Sequence, residues 1–215
     1  MSQEKSQRLL FFGRIGVLTR SGKAYLALTS ELARRRIESV SLIPGQLPPL
    51  DIRVIITTQT EEAATADRRL VLFHQGSNPR EAVEKALLLL LRKTRFKELV
   101  IGIDPGKQTG LAVLGDGLLI DADTYTRLPA LIEEIKHMIQ AFPSDKVILK
   151  IGNGAKEHGN ALLEALPSLP SFVEIQMVEE SRTNDYGLPS VEGLSKNTAA
   201  AFRIGLRTGK TTGKL

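Results

Sequence analysis

The stretch LVIGIDPGKQTGLAVL, residues 99–114, constrains the fold more than any other part of the chain. Two aliphatic runs flank a turn marked by Pro105 and Gly106, and the turn is too short to hold a helix. The runs must therefore pair as antiparallel neighbours in a sheet. The first run ends on Asp104, after which Pro and Gly turn the backbone away. That leaves the carboxylate at the rim of the sheet rather than in its core. Ligand sites in α/β sheets lie outside the carboxyl ends of strands, so Asp104 is a candidate site residue by position alone.

The rest of the second half extends this hairpin. LLIDADTYT (118–126) reads as a third strand close behind the first two, with Asp121 and Asp123 expected to face solvent. PALIEEIKHMIQAF (129–142) has helical periodicity and a Pro near its start. KVILKIGNG (146–154) is a strand entering a Gly/Asn turn, 157–166 a helix, 172–181 a strand and 194–209 a final helix. The predicted order is βββαβαβα.

The first half alternates differently. Strands are expected at 8–19, 38–43, 51–58 and 69–74. Ser21 caps a helix over 21–37, and Asn78–Pro79 opens another over 79–96. Residues 60–67 read as a short helix or a loop. This is a small α/β unit, open to a flavodoxin-like or receiver-like arrangement, without a nucleotide fingerprint. The expected division is 1–95 for this domain, 96–208 for the second and 209–215 for a flexible basic tail. GKTTGK (209–214) resembles a phosphate loop only in composition, because it lacks the preceding strand and following helix.

Charge narrows the partners. The net charge is +5, but residues 1–95 carry 16 Lys+Arg against 9 Asp+Glu and residues 96–215 carry 13 against 15. The basic surplus of the first half suits nucleic acid; solvated helix ends at Arg34–Arg36 and Arg68–Arg69 are the plainer explanation. With no Cys there is no disulfide, thiolate metal site or cysteine nucleophile. Aromatics at 5%, with no Trp, leave no ladder for base stacking. The start MSQEKSQRLLFFGRIG is too polar for a signal peptide, and ALLLLL (86–91) is too short to span a membrane. A soluble cytoplasmic protein without membrane association is expected. Its oligomeric state stays open and is compatible with a homodimer. His74, His137 and His158 show no ligand spacing.

IGIDPGKQTGLAVL resembles the first motif of the RuvC/YqgF-like, or resolvase-like, branch of the ribonuclease H superfamily. KIGNGAKEHG (150–159) is similar to the glycine loop after that branch's fourth strand, MVEESRT (177–183) to the segment after its fifth, and KNTAAAFRIGL (196–206) to its last helix. The resemblance covers about 97–207. It implies a ribonuclease H-like domain with a mixed five-stranded sheet, and nuclease chemistry in which strand-end carboxylates hold Mg²⁺ or Mn²⁺. The catalytic candidates are then Asp104, Glu179, Glu180 and Asn197, with Asp104 and Glu180 as metal ligands. Lys107, Lys150, Arg182 and Lys196 are the candidate phosphate contacts, and Asp185 is a substitute acid.

Two expected acids are replaced, by Lys150 on the fourth strand and by Asn197 on the last helix. An ammonium 4 Å from Asp104 would interact with it by about 4 kcal/mol at an effective dielectric near 20. It would bias the site against a cation. Lys150 is therefore expected either to pair with Asp104 or to reach outward to phosphate. Three readings follow. One is a metal-dependent nuclease of structured DNA or RNA. The second is a non-catalytic relative that binds nucleic acid or a protein partner. An actin-like nucleotide-binding fragment is the third, disfavoured because those proteins need two such domains.

Overall fold

The computed structural model describes residues 14–62, 69–154, 156–166, 169–179 and 193–214. The expected strand residues 8–13 lie outside them, as do Glu180, Arg182 and Asp185. The chain is a two-domain α/β protein, and its two compact units divide between Thr94 and Arg95.

The first unit contains β1 (Arg14–Leu18), α1 (Gly22–Arg34), β2 (Ser39–Leu42), β3 (Ile52–Thr58), α2 (Gln59–Glu62), β4 (Leu70–Phe73) and α3 (Pro79–Leu90). Its strands form a parallel sheet in the order β2-β1-β3-β4. Parallel strands need crossover connections, and α1 supplies one. Ser21 caps α1 by accepting from the N–H of Ala24, and Asn78 caps α3 by accepting from that of Arg80. Ala24, Leu28 and Leu32 recur every fourth residue and bury one face of α1. That helix packs against α3.

The arginine run departs from its reading as solvated charge. Arg35 has no exposed side-chain area and donates to Glu31 Oε1 at 2.6 Å and to Glu84 Oε1 at 2.7 Å. Arg34 also pairs with Glu31, and Arg80 with Glu84. A guanidinium can lie between two helices when carboxylates accept its hydrogen bonds. Part of the basic surplus of the first half is thus consumed inside the fold.

The second unit contains β5 (Phe96–Asp104), β6 (Thr109–Gly115), β7 (Leu118–Tyr125), α4 (Leu128–Ala141), β8 (Ser144–Gly152), α5 (Lys156–Ala165), β9 (Glu174–Val178), α6 (Lys196–Leu206) and β10 (Lys210–Lys214). The mixed sheet runs β10-β9-β8-β5-β6-β7. β5, β6 and β7 are antiparallel, whereas β8 and β9 continue from β5 in parallel. Between β6 and β7 stand Asp116 and Gly117, both at positive φ, as a two-residue hairpin turn demands. Asp121 departs from its expected solvent exposure: it is only 5% exposed, its Oδ1 accepting from the N–H of Ala122.

The expected five strands become six. Residues 210–214, read as a flexible tail, pair antiparallel with β9 and form the edge strand of the sheet. KTTGK carries little apolar signal, so its strand character comes from the ladder that β9 offers. Lysines on an edge strand discourage further pairing. Among the described residues, no helix is long and apolar enough to cross a membrane.

Candidate functional site

The site is built where α6 crosses the sheet of the second unit. In β5, Gly102 and Asp104 point to one face. Register puts Gly110 of β6 beside Asp104, and Lys150 of β8 beside Gly102. A Cβ on Gly102 would overlap the carbonyl oxygen of Ala201 and lie 2.8 Å from the nitrogen of Gly205. One on Gly110 would overlap the carbonyl oxygen of Asn197. The helix therefore rests directly on strand backbone, its first turn over β6 and its later turns over β5. Only glycine at these positions permits that approach.

The two substituted positions hold the two ends of this helix. At its C-terminus, Lys150 Nζ donates to Gly205 O at 2.9 Å and to Arg207 O at 2.7 Å. The last carbonyls of a helix lack intrahelical donors and carry partial negative charge, so an ammonium is a fitting partner. At the N-terminus, Asn197 Nδ2 donates to Gln108 O at 2.9 Å and ties the first turn to the β5–β6 hairpin. Ser195 caps the same end by accepting from the N–H of Thr198.

Lys150 thus takes neither expected course, pairing with Asp104 or reaching outward to phosphate, and instead clamps α6. Its charged neighbours are Glu98, Glu174 and Lys146. Burial, aided by Lys146, holds the ammonium below the ordinary lysine range, although Glu98 and Glu174 pull the other way.

The remaining candidates fall into two groups. Glu179 follows β9, and its carboxylate lies 3.3 Å from Lys210 Nζ on β10. Its carbonyl accepts from Arg207 Nη1 at 3.2 Å. It belongs with the C-terminal end of α6, two strands away from Asp104 in the sheet order. At the other end, the Asn197–Gln108 bond brings the neighbouring Lys196 and Lys107 to one rim, both exposed, beside the half-buried Asp104.

No group of three His, Cys, Asp or Glu suited to a metal ion occurs among the described residues. Asp104 contributes one carboxylate, Asn197 turns its amide nitrogen to the hairpin, and Lys150 and Glu179 are engaged elsewhere. These described donors do not fit a catalytic Mg²⁺ or Mn²⁺, which prefers several oxygens around it. Glu180, the expected second ligand, lies outside the described residues.

Beside the rim lies a cavity of about 150 Å³, walled by the β5–β6 turn, the residues between β7 and α4, and α4 and α5. Lys107 lines it, and so does Arg127, which the sequence reading did not single out. The available signal was an arginine just before a helix whose Pro was already recognised.

In the first unit, Glu61 of α2 links the chain just after β1 to the end of β3. Glu61 Oε1 accepts from the N–H of Arg20 at 3.0 Å, and its other oxygen accepts from the Thr58 hydroxyl. Burial opposes ionisation of Glu61, but these hydrogen bonds outweigh it and hold the carboxyl below its ordinary range.

Residues 14–90 match the family model described as a response regulator receiver-like domain. Among solved structures, the chain is similar to Marinitoga piezophila Argonaute in complex with 5' OH guide RNA. The match has 10% identity over 78% of this chain and 39% of that one, with a TM-score of 0.28. The same Argonaute with guide RNA and target DNA matches at 10% identity over the same shares, with a TM-score of 0.31. The chain spans about two fifths of that protein's length. At these scores the likeness assigns neither fold nor function. No curated protein matches the sequence.

Proposed function

We propose that this chain is a regulatory protein that binds nucleic acid through a resolvase-like, ribonuclease H-like second unit without cutting it. The observation that carries the reading is the double hydrogen bond from Lys150 to the end of α6. The position where the resemblance expects a catalytic Glu now serves the architecture, and Asn197 does likewise at the opposite end of the helix. What remains at the rim is Asp104 beside two exposed lysines, Lys107 and Lys196, a pattern suited to phosphate backbone. The receiver-like match over residues 14–90 supports a regulatory role for the first unit.

The test is an incubation of purified full-length chain with branched DNA, RNA and RNA–DNA hybrids in Mg²⁺ or Mn²⁺. Binding that falls steeply with salt, without cleavage, is the expected result. Metal-dependent cleavage abolished by Asp104→Asn would instead establish the nuclease, with Asp104 and Glu180 as its ligands. Neither binding nor cleavage would leave the protein-interaction reading.

A further inference from the structure

We propose that the cavity beside the β5–β6 turn is a pocket for a phosphate monoester. Its volume is about 150 Å³, room for more than a single water. Pockets for drug-sized ligands start at about 300 Å³. The space suits a phosphate and the first atoms of its ester, with the rest of a larger molecule left outside it.

The lining specifies an anion. Lys107 and Arg127 are exposed at it, and neither has a hydrogen-bond or ion-pair partner for its side chain among the described residues. The Thr126 hydroxyl is likewise unengaged there. Thr109, by contrast, spends its proton on Gly106 O at 3.1 Å. Among the described residues no Asp or Glu lines the cavity, so its described lining offers the cations no carboxylate competitor.

Two positive charges without a partner among the described residues match a monoester, which carries about −1.5 to −2 at neutral pH. A diester carries half of that and reaches the protein as a continuous strand. Buried Leu131 and Leu162 back the cavity, so it receives a terminus better than a chain running through. The terminus can be a nucleic-acid end or a small phosphorylated molecule, since both present the same group. The nucleic-acid source rests on the function proposed above, whereas the pocket's chemistry does not.

Calorimetric titration of the full chain with three probes tests this: inorganic phosphate, a DNA trinucleotide with a 5'-phosphate, and the same trinucleotide with a 5'-hydroxyl. The phosphorylated trinucleotide should bind at least tenfold tighter than the hydroxyl form. Lys107→Ser and Arg127→Ser should each remove most of that preference. Ala161→Phe, at an exposed lining position, should abolish it by filling the space without changing charge. Lys97→Ser, which removes one charge from the far end of β5, should leave it intact.

Phosphate binding that disappears in the Phe variant, with no preference between trinucleotides, would support the pocket and assign it to small phosphate esters. An undiminished preference in the Phe variant, or a loss as large in Lys97→Ser, would overturn the proposal. So would binding of neither phosphate nor the 5'-phosphate. In each overturning case, salt-dependent binding of longer nucleic acid would leave the proposed function standing.

Discussion

Lys150 and Gly205, far apart in sequence, are joined by a 2.9 Å hydrogen bond from the lysine ammonium to the glycine carbonyl. A second bond to Arg207 O completes a clamp on the last carbonyls of α6. The clamp explains how a cation can occupy a half-buried strand position next to Gly102, where the backbone of α6 lies close above.

Lys150→Met should therefore destabilise the second unit by about 1.5–3 kcal/mol, the range for hydrogen bonds to charged groups. Lys150→Glu should cost more, because it sets a carboxylate against helix carbonyls, and it should not create a metal site. Urea denaturation of both variants checks the order. A Glu variant more stable than the Met variant, or one that gains Mn²⁺-dependent stability, would sink the clamp.

The lowered Lys150 pKa gives the clamp a pH signature. Between its folded value and the ordinary lysine value of about 10.4, the unfolded chain binds more protons than the folded one. Stability contributed by this group consequently rises with pH through that window. The difference in unfolding free energy between the native chain and Lys150→Met should grow as pH enters the alkaline range. A flat or falling difference would show that burial does not dominate the ammonium's surroundings.

The glycine contacts predict a second, independent effect. Gly102→Ala pushes a methyl into the backbone of α6 at Ala201 and Gly205, which cannot yield as a side-chain tip would. Overpacking of this kind costs about 1–3 kcal/mol. Gly117→Ala strains a positive-φ turn instead, with open space around its Cβ. Thermal melts with a tryptophan reporter introduced away from α6 would separate the two. Only Gly102→Ala should also loosen amide exchange protection along the helix.

In the first unit, Arg35→Met takes from Glu31 and Glu84 the buried cation they share, leaving them Arg34 and Arg80 respectively. Removing one partner of a buried ion pair costs about 3–5 kcal/mol. The triple variant Arg35→Met, Glu31→Leu, Glu84→Leu should recover much of that. Burial raises the Glu31 pKa, but its bonds to Arg34 and Arg35 lower it further than burial raises it. Stability from Glu31 is then present above its unfolded value and lost as pH falls through its lowered folded one. An acid titration in which the native chain and Arg35→Met lose stability in parallel would contradict this.

The hairpin, the strand-end acid and the alternation of both units were legible because each follows from local periodicity and turn chemistry. Asp104 stands where Pro105 and Gly106 place it, at the end of β5. The partner of Lys150 was not legible, since a lone lysine on a strand gives no hint of which carbonyls lie above it. Arg35 looked solvated for a related reason. Its counter-charges sit four residues before it and on another helix, and only the packing of α1 against α3 brings Glu84 near. The strand at 210–214 was hidden because an edge strand needs a neighbour's ladder more than an apolar pattern of its own.

The exposed rim yields the last prediction. Lys107 and Lys196 sit on either side of the Asn197–Gln108 bond and supply charge without reading base identity. Alanine at either position should weaken binding to duplex DNA of any sequence to a similar degree. It should also reduce the slope of log K against log salt by about 1. Asn197→Ala, which keeps both lysines but releases α6 from the hairpin, should lower affinity less and leave the slope unchanged, because no phosphate contact is deleted. Fluorescence anisotropy across a salt series distinguishes these outcomes. If Lys107→Ala and Lys196→Ala leave the slope as it was, the phosphate-binding surface lies elsewhere on the molecule.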